Sequence, residues 1–319
     1  MPNKPGSSQI TVEGTWILVC TYQRNELLAQ LLDSLAAVRL PADSPLTAPQ
    51  VIIVDNAPEP AAAQTVAEHL PSAVYLHQPV PGISSARNAS LDAVPQNAQA
   101  VIFIDDDEYV PSHWLSAMID TANATGADAV TGPVLPVFEE GEPEWLTNYG
   151  FVRKLEHPEG PYPRRPATHN SLVRFEWFAE RGMRFDEMFN FTGGEDSDLF
   201  ERMQRAGAKY WWTKDVLIYE TIPADRSTQA WLHQRASRGG YVRTLKIRRR
   251  LPGPVVPLRI AGEGVLRLGY SAARVSAKKL RRKPVTFKDH YYWHEGLGMI
   301  TALAGRRRIE YARPDAQPE

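Results

Sequence analysis

The chain contains little of what marks secreted, disulfide-bonded or membrane-spanning proteins. Cys20 is the only cysteine among 319 residues, so an internal disulfide is excluded and a reducing compartment, the cytoplasm, is expected. No stretch reaches the roughly 18 consecutive apolar residues of a spanning helix. Residues 1–9 lack the apolar segment of a signal peptide. We therefore expect neither a spanning helix nor a secretion signal.

The sequence also lacks glycine-rich phosphate loops. No G-x-G-x-x-G follows the first predicted strand, and no G-x-x-x-x-G-K-[ST] occurs. Dinucleotide-binding and P-loop sites are therefore disfavoured. Helix-turn-helix, zinc and RNA-recognition signatures are missing as well, so we expect no nucleic-acid partner.

Positive charge is scarce up to residue 225 and abundant after it. Residues 1–225 contain 15 Lys and Arg against 31 Asp and Glu, whereas residues 226–319 contain 21 against 6. The net charge of −1 hides this division. An acidic body with a basic tail indicates two tasks, and the tail is expected to face something anionic.

Short apolar runs alternate with amphipathic segments through the acidic body. Such alternation predicts right-handed βαβ units and an α/β fold with a mostly parallel central sheet. The predicted strands are residues 16–20, 51–54, 73–77, 101–104 and 127–131. The predicted helices between them cover residues 25–35, 61–69, 84–91 and 114–123.

The apolar run Val101–Ile104 leads directly into four acidic residues, Asp105 to Glu108. In open α/β sheets, ligands bind at the carboxyl ends of strands. Alternation along a strand would place Asp105 and Asp107 on one face and Asp106 on the other. Two carboxylates on one face require a cation, and oxygen ligands suit Mg²⁺ or Mn²⁺. The alternative is an acidic, solvated turn that begins the next helix.

A second acidic group follows two glycines, Gly193 and Gly194. Glu195 and Asp196 fall in the first turn of a helix predicted to end at Gly207. Acids at that place stabilise the helix dipole, which is the simpler explanation. Paired glycines let backbone approach a ligand closely, so together with the first acidic group they favour a catalytic carboxylate.

These residues resemble the family 2 glycosyltransferases with the GT-A fold, and most closely the ExoM-like branch that assembles bacterial exopolysaccharides. The resemblance covers residues 15 to about 245 and continues through Trp231–Gly240. It rests on six ordered motifs, which are Val19–Arg24 (VCTYQR), Val54–Asn56 (VDN), Pro81–Asn88 (PGISSARN), Ile104–Asp107 (IDDD), Gly132–Val134 (GPV) and Gly193–Asp196 (GGED).

The resemblance implies a metal-dependent inverting transferase, with Mn²⁺ or Mg²⁺ as cofactor. It would move a sugar from a nucleotide-diphospho-sugar, a UDP-sugar being favoured, to a saccharide or lipid-linked hydroxyl acceptor in surface polysaccharide synthesis. It implies a nucleotide pocket, a DxD element for ribose and metal, and a general base. Under this resemblance, the nucleotide pocket would be formed by Thr21, Tyr22, Arg24, Asp55 and Arg87. The DxD element would be formed by Asp105, Asp106 and Asp107, and Asp105 and Asp107 would bind the metal. The general base would be Asp196, with Glu195 as the alternative.

Two positions depart from the family's pattern. His169 stands before Asn170 where many relatives carry Gly, and Tyr219 stands before Glu220 where relatives often carry His. Both lie in segments expected to approach the acceptor, so they leave the acceptor's identity open. Arg226, Arg235 and Arg238 would close over the diphosphate or remain surface residues.

The sequence therefore divides into a flexible N-terminus (1–14), a GT-A domain (15–245) and a basic helical region (246–319). Residues 246–283 mix apolar and basic residues, which predicts basic amphipathic helices on an anionic membrane surface, the inner face of the cytoplasmic membrane. The alternative is a solvated appendage packed on the catalytic domain.

The sequence leaves two other functions open. A sugar-nucleotide nucleotidyltransferase would carry glycines and basic residues directly after the first strand, where this chain has Thr21–Arg24. A catalytically inactive GT-A-like scaffold at the membrane would have lost one of the two acidic groups, and both are present.

Overall fold

The structure is a computed structural model and describes residues 9–147, 157–251 and 253–306. The strands are β1 Thr15–Thr21, β2 Gln50–Asp55, β3 Val74–His77, β4 Ala100–Asp105, β5 Glu108–Tyr109, β6 Ala129–Thr131, β7 Val134–Phe138, β8 Gly160–Pro161, β9 Ser171–Arg174, β10 Tyr210–Trp212 and β11 Ile218–Ile222. The helices are α1 Asn25–Ala36, α2 Ala63–His69, α3 Ile83–Asp92, α4 Trp114–Thr125, α5 Glu144–Thr147, α6 Glu176–Ala179, α7 Glu195–Arg205, α8 Gln229–Arg250, α9 Val255–Leu280 and α10 Phe287–Leu303.

Two compact units make up the chain. Of the described residues, the first unit contains 9–137, 157–190 and 195–221, and the second contains 138–147, 191–194, 222–251 and 253–306. The predicted boundary at residue 245 lies inside α8, which runs unbroken to Arg250.

The first unit is built on an eight-stranded sheet with the order β3-β2-β1-β4-β9-β6-β10-β8. Neighbours among β3, β2, β1 and β4 run parallel, and so do β6 and β10. Strand β9, which the sequence pattern did not reveal, lies antiparallel between β4 and β6. The mixed α/β fold with a mostly parallel sheet is thus confirmed. Strands β5, β11 and β7 form a separate small sheet.

The central strands β1, β2 and β4 are buried on both faces, which explains why they are continuous apolar runs. Alternate residues of β4 enter different clusters: Ile102 lies in one and Phe103 in the other. The first cluster receives apolar residues of α1 and α4, such as Leu31 and Trp114. The second receives residues of α3 and α7, such as Leu199. Helices on both faces leave the strand ends open to carry a site.

Residues 10–12, predicted as part of a flexible terminus, are packed. Ile10 and Val12 are buried in the core of the first unit. The backbone N–H of Ile10 donates to Asn123 Oδ1, and Asn123 Nδ2 donates to the Ile10 carbonyl, both at 2.8 Å. Burial of apolar side chains together with satisfied backbone groups fixes this segment. Residues 1–8 and 307–319 lie outside the described residues.

The second unit is dominated by α8, α9 and α10, which pack through glycines. A Cβ added to Gly240 of α8 would lie 2.0 Å from the Glu295 carbonyl oxygen of α10. A Cβ added to Gly298 would lie 1.9 Å from the Ser237 carbonyl oxygen. Only glycine permits backbones to approach this closely. None of the helices in the described part of the chain is long and apolar enough to cross a membrane.

Candidate active site

Three neighbouring parallel strands end at the candidate site. The register pairs Thr21 of β1 with Asp55 of β2, and Cys20 with Asp105 of β4. Parallel strands bring their carboxyl ends to one edge of the sheet, the usual place for a ligand in this class of fold. The polar strand ends that the sequence singled out are therefore adjacent.

Asp106 and Asp107 lie in a turn beside Arg24. Arg24 Nη1 donates to Asp106 Oδ1 and to Asp107 Oδ2, each at 3.1 Å. Thr21 Oγ1 donates to Asp106 Oδ2 at 2.8 Å. The predicted alternation, with Asp105 and Asp107 sharing one face, is wrong. Strand β4 ends at Asp105, and in the following turn side chains no longer alternate, so Asp106 and Asp107 reach the same guanidinium.

Arg87 joins the two acidic groups of the sequence. Its Nη2 donates to Asp105 Oδ1 at 3.0 Å, and its Nη1 forms a close ion pair with Glu195 Oε1. The arginine is 7% exposed, whereas the Asp105 side chain is 43% exposed. A guanidinium with planar, divergent donors can bridge two carboxylates in this way.

Glu195 is the most unusual carboxyl group of the site. It is 3% exposed, and its Oε2 has no hydrogen-bond partner among the described residues. Burial raises its pKa to about 7, although Arg87 favours the charged form. A buried, half-satisfied carboxylate is costly, and such groups concentrate at functional sites.

Asp196 differs from its neighbour in exposure. It lies in the first turn of α7 and is half-buried. Its Oδ1 accepts a hydrogen bond from the Ser197 N–H. The preceding Gly193 and Gly194 have φ values of 70° and 92°, a left-handed conformation that favours glycine. This conformation explains the paired glycines of the sequence.

Asp55 is fully buried at the end of β2. Its Oδ1 accepts from the Ala57 N–H at 3.0 Å, and its Oδ2 accepts from the Ala62 N–H at 2.8 Å and from Tyr75 Oη at 2.9 Å. These bonds use both oxygens to fix the loop after β2. Tyr22, also predicted in the nucleotide pocket, is half-buried.

Glu108 and His169 support the acidic turn, a role that the sequence analysis missed. Glu108 Oε2 accepts from the Asp105 N–H at 2.8 Å, and His169 Nδ1 lies 3.6 Å from Glu108 Oε1. Burial raises the pKa of Glu108 to about 7. Burial disfavours the charged form of His169, but the interaction with the Glu108 carboxylate outweighs this effect and raises the pKa of His169 to about 9. His169, at a position where many relatives carry Gly, was the sequence feature that could have indicated this role.

Carboxylates outnumber cations around the turn. Burial raises the pKa of Asp106 and Asp107, the latter to about 8, and the neighbouring acids add to the effect for both. Glu220 of β11 pairs with Glu108 across the small sheet. Such an excess of hard oxygen donors suits a divalent cation. Within the described residues, no three acidic, His or Cys side chains are arranged to hold an ion by themselves.

The sequence of the first unit matches a known family. The model for glycosyl transferase family 2 matches residues 16–187. The chain is also 36% identical over 301 residues to the succinoglycan biosynthesis protein ExoM of Rhizobium meliloti (strain 1021), which covers 92% of this chain and 93% of that protein. The chain belongs to glycosyl transferase family 2. This glycosyltransferase is also 24% identical over 268 residues to the succinoglycan biosynthesis protein ExoA of the same strain, covering 80% and 78% of the two chains.

Solved structures share the fold of this glycosyltransferase. Residues 1–349 of S. aureus TarS in complex with UDP-GlcNAc match with a TM-score of 0.53 at 15% identity, covering 95% of this chain and 98% of that one. The mannosyltransferase PcManGT from Pyrobaculum calidifontis, in complex with GDP-Man and Mn²⁺, matches with a TM-score of 0.55 at 16% identity, covering 96% and 79%. The family and the GT-A-type fold predicted from the sequence are thereby confirmed.

Proposed function

We propose that this glycosyltransferase moves a sugar from a nucleotide-diphospho-sugar to a hydroxyl group of a saccharide or lipid-linked acceptor, with inversion, in bacterial exopolysaccharide assembly. The observation that carries the proposal is the joining of the acidic turn to Arg24 and Arg87 at the carboxyl ends of β1 and β4. Two arginines beside clustered carboxylates provide both charges that a metal–diphosphate ligand requires. The similarity to ExoM supports the polysaccharide pathway.

The donor nucleotide would occupy the strand ends. Arg24 and Arg87 supply positive charge for the diphosphate, and Thr21 and Tyr22 line the pocket beside them. Asp55 would shape the base pocket through the loop that its carboxylate holds. A UDP-sugar is the favoured donor. Because TarS is known in complex with UDP-GlcNAc and PcManGT in complex with GDP-Man, both UDP-sugars and GDP-sugars should be tested as donors.

The acidic turn fits a divalent cation, Mn²⁺ or Mg²⁺. Asp105 and Asp107 would hold it and Asp106 would contact the ribose, with the donor's phosphates completing the ion's oxygen ligands, because the described residues do not complete a site by themselves. When bound, the metal supplies Lewis-acid neutralisation of the leaving diphosphate. The Mn²⁺ complex of PcManGT supports this assignment.

Asp196 is the better candidate for the general base. Glu195 is buried and paired with Arg87, so it is poorly placed to meet an acceptor, whereas Asp196 is half-exposed. Asp196 would take the proton of the acceptor hydroxyl while that oxygen bonds to the anomeric carbon. The bond from that carbon to the diphosphate oxygen breaks, and the diphosphate leaves with the electron pair. One displacement without a covalent enzyme intermediate gives inversion.

The test is release of nucleoside diphosphate. The enzyme would be incubated with Mn²⁺, a lipid-linked oligosaccharide fraction from an exopolysaccharide-producing bacterium, and UDP-glucose, UDP-GlcNAc or GDP-mannose in turn. We expect acceptor-dependent release of UDP or GDP, abolished in Asp196→Asn. Pyrophosphate release from UTP and a sugar phosphate would assign the chain to the nucleotidyltransferases instead. Release of neither product from any donor would favour an inactive scaffold.

A further inference from the structure

Helix α9 turns its apolar side to solvent. Five of its large apolar residues are far more exposed than those of a helix packed in a core, whereas Ile260 is buried. The exposed fractions are 51% for Val255, 75% for Leu258, 60% for Val265, 73% for Leu266 and 87% for Leu280. Successive members of this set are 3, 7, 1 and 14 residues apart, and at about 100° per residue all five fall within about 100° of the helix circumference, so they share one side of the helix.

That side is almost uncharged. Of the exposed residues from Val255 to Ala277, Arg259 alone carries a charge, and it pairs with Glu263 of the same helix at 2.6 Å. The remaining exposed positions are mostly Gly, Ala and Ser, including Gly262 and Gly269, where an added Cβ would meet open space. The result is a smooth apolar strip along a helix of 26 residues, roughly 39 Å long at 1.5 Å per residue.

Three other charged residues of α9, Arg267, Arg274 and Lys278, bind acidic residues of α10. Arg267 Nε donates to Glu295 of α10 at 2.9 Å. Arg274 and Lys278 both bind Asp289, which is fully buried. Burial opposes ionisation of Asp289, but these hydrogen bonds hold its pKa well below the ordinary value. Charged residues of α9 thus help to hold it to α10, together with Ile260, which is buried in a cluster with Met299, and the apolar strip is left outside.

Basic residues flank the strip at both ends. Arg248, Arg249 and Arg250 end α8 just before α9 begins, and all three are exposed. At the other end, Lys279 in the last turn of α9 and residues 281–283 (Arg-Arg-Lys) after it are exposed as well. Cations placed at both ends of an apolar strip match an anionic surface with an apolar layer beneath it.

We propose that the outward strip of α9 binds the surface of a membrane containing anionic lipids, with the helix lying in the plane of the interface. Apolar contact and attraction to lipid phosphates act together in this arrangement. A second copy of the chain is a poorer occupant. In an antiparallel pair of α9 helices, basic end would meet basic end, and like charges repel. The binding would hold the enzyme where a lipid-linked acceptor is found, but its test does not depend on the transferase activity.

The experiment is vesicle co-sedimentation of the full chain. Vesicles of phosphatidylcholine with 30 mol% phosphatidylglycerol would be compared with pure phosphatidylcholine, each at low and high salt. We expect binding to the anionic vesicles that weakens as salt rises. Leu266→Asp should reduce the partition coefficient by about tenfold or more, because one Leu contact with the apolar layer is lost. Val74→Asp is the matched control, since Val74 is an exposed apolar residue (41%) of the other unit.

A second variant tests the charges separately. Replacing Arg281, Arg282 and Lys283 with Gln should lower binding to anionic vesicles at low salt, by about fivefold per residue near the surface. Circular dichroism should be unchanged for both variants, because the altered side chains are exposed. Equal affinity for neutral and anionic vesicles would overturn the proposal. So would a Leu266-dependent dimer that binds no vesicle, which would assign the strip to a second copy.

Discussion

Removal of the Arg87 side chain tests the electrostatic centre of the site. In Arg87→Met, the buried Glu195 loses its ion pair while its Oε2 already has no hydrogen-bond partner in the described structure. Breaking a buried pair by removing one member costs about 3–5 kcal/mol. At about 2–4 °C per kcal/mol for a unit of this size, the melting temperature of the first unit should fall by roughly 6–20 °C.

The loss should depend on pH in a defined direction. The folded-state pKa of Glu195, about 7, exceeds its ordinary value of 4.5. The folded state therefore holds a proton that the unfolded state releases, and the contribution of Glu195 to the unfolding free energy falls as pH rises from 4.5 to 7. Without Arg87, the folded-state pKa rises further. The destabilisation should accordingly be smaller at pH 5 than at pH 8.

Urea unfolding at both pH values measures these effects. The double variant Arg87→Met, Glu195→Gln should recover much of the stability at pH 8, because it removes both charges, and the double-mutant cycle isolates their coupling. A melting temperature of Arg87→Met within 2 °C of wild type, or no recovery in the double variant, would refute the assigned burial and pairing of Glu195.

Three further variants address the base and the second unit. Asp196→Asn should bind donor normally in calorimetry yet show no turnover; wild-type turnover would rule out Asp196 as base. Gly298→Val should lower the melting temperature by several degrees, because its side chain would collide with the Ser237 carbonyl oxygen; an unchanged melting temperature would contradict the close contact of α8 and α10. Burial, assisted by two nearby histidines, lowers the pKa of His294 from 6.5 to about 4. The unfolded state therefore binds its proton first, and stability should fall as pH drops from 6.5 to 4. His294→Phe should flatten this dependence. An equal pH dependence of the unfolding free energy in the variant and the wild type would contradict the lowered pKa of His294.

Much of the first unit could be predicted because its strands are buried on both faces. Runs such as Val51–Val54 and Val101–Ile104 are unmistakable, and their polar ends indicate the site by the geometry of parallel sheets alone. Strand β9 was not predicted, since Ser171–Arg174 has neither a long apolar run nor strict alternation. Its antiparallel place between β4 and β6 is set by long-range packing, which no local pattern encodes.

The side-chain pairings of the site required the structure. Arg87 and Glu195 are 108 residues apart in sequence, and their ion pair exists only because α3 and α7 pack on the same face of the sheet. Because β4 ends at Asp105, the next two carboxylates, Asp106 and Asp107, both reach the Arg24 guanidinium, and an alternating pattern does not show where a strand ends. Similarly, composition predicted basic amphipathic helices in residues 246–283, but the ion pairs that join Arg267, Arg274 and Lys278 of α9 to α10 required the structure.

The most direct test of the metal–diphosphate site is calorimetric titration of UDP, then GDP and TDP, into the wild-type enzyme and Asp107→Ala, each with and without Mn²⁺. We expect one diphosphate to bind the wild type at least tenfold more tightly with Mn²⁺ than without it, and Asp107→Ala to lose this difference. Equal affinity with and without Mn²⁺ in the wild type, or an unchanged Mn²⁺ effect in Asp107→Ala, would contradict a metal–diphosphate site at the acidic turn.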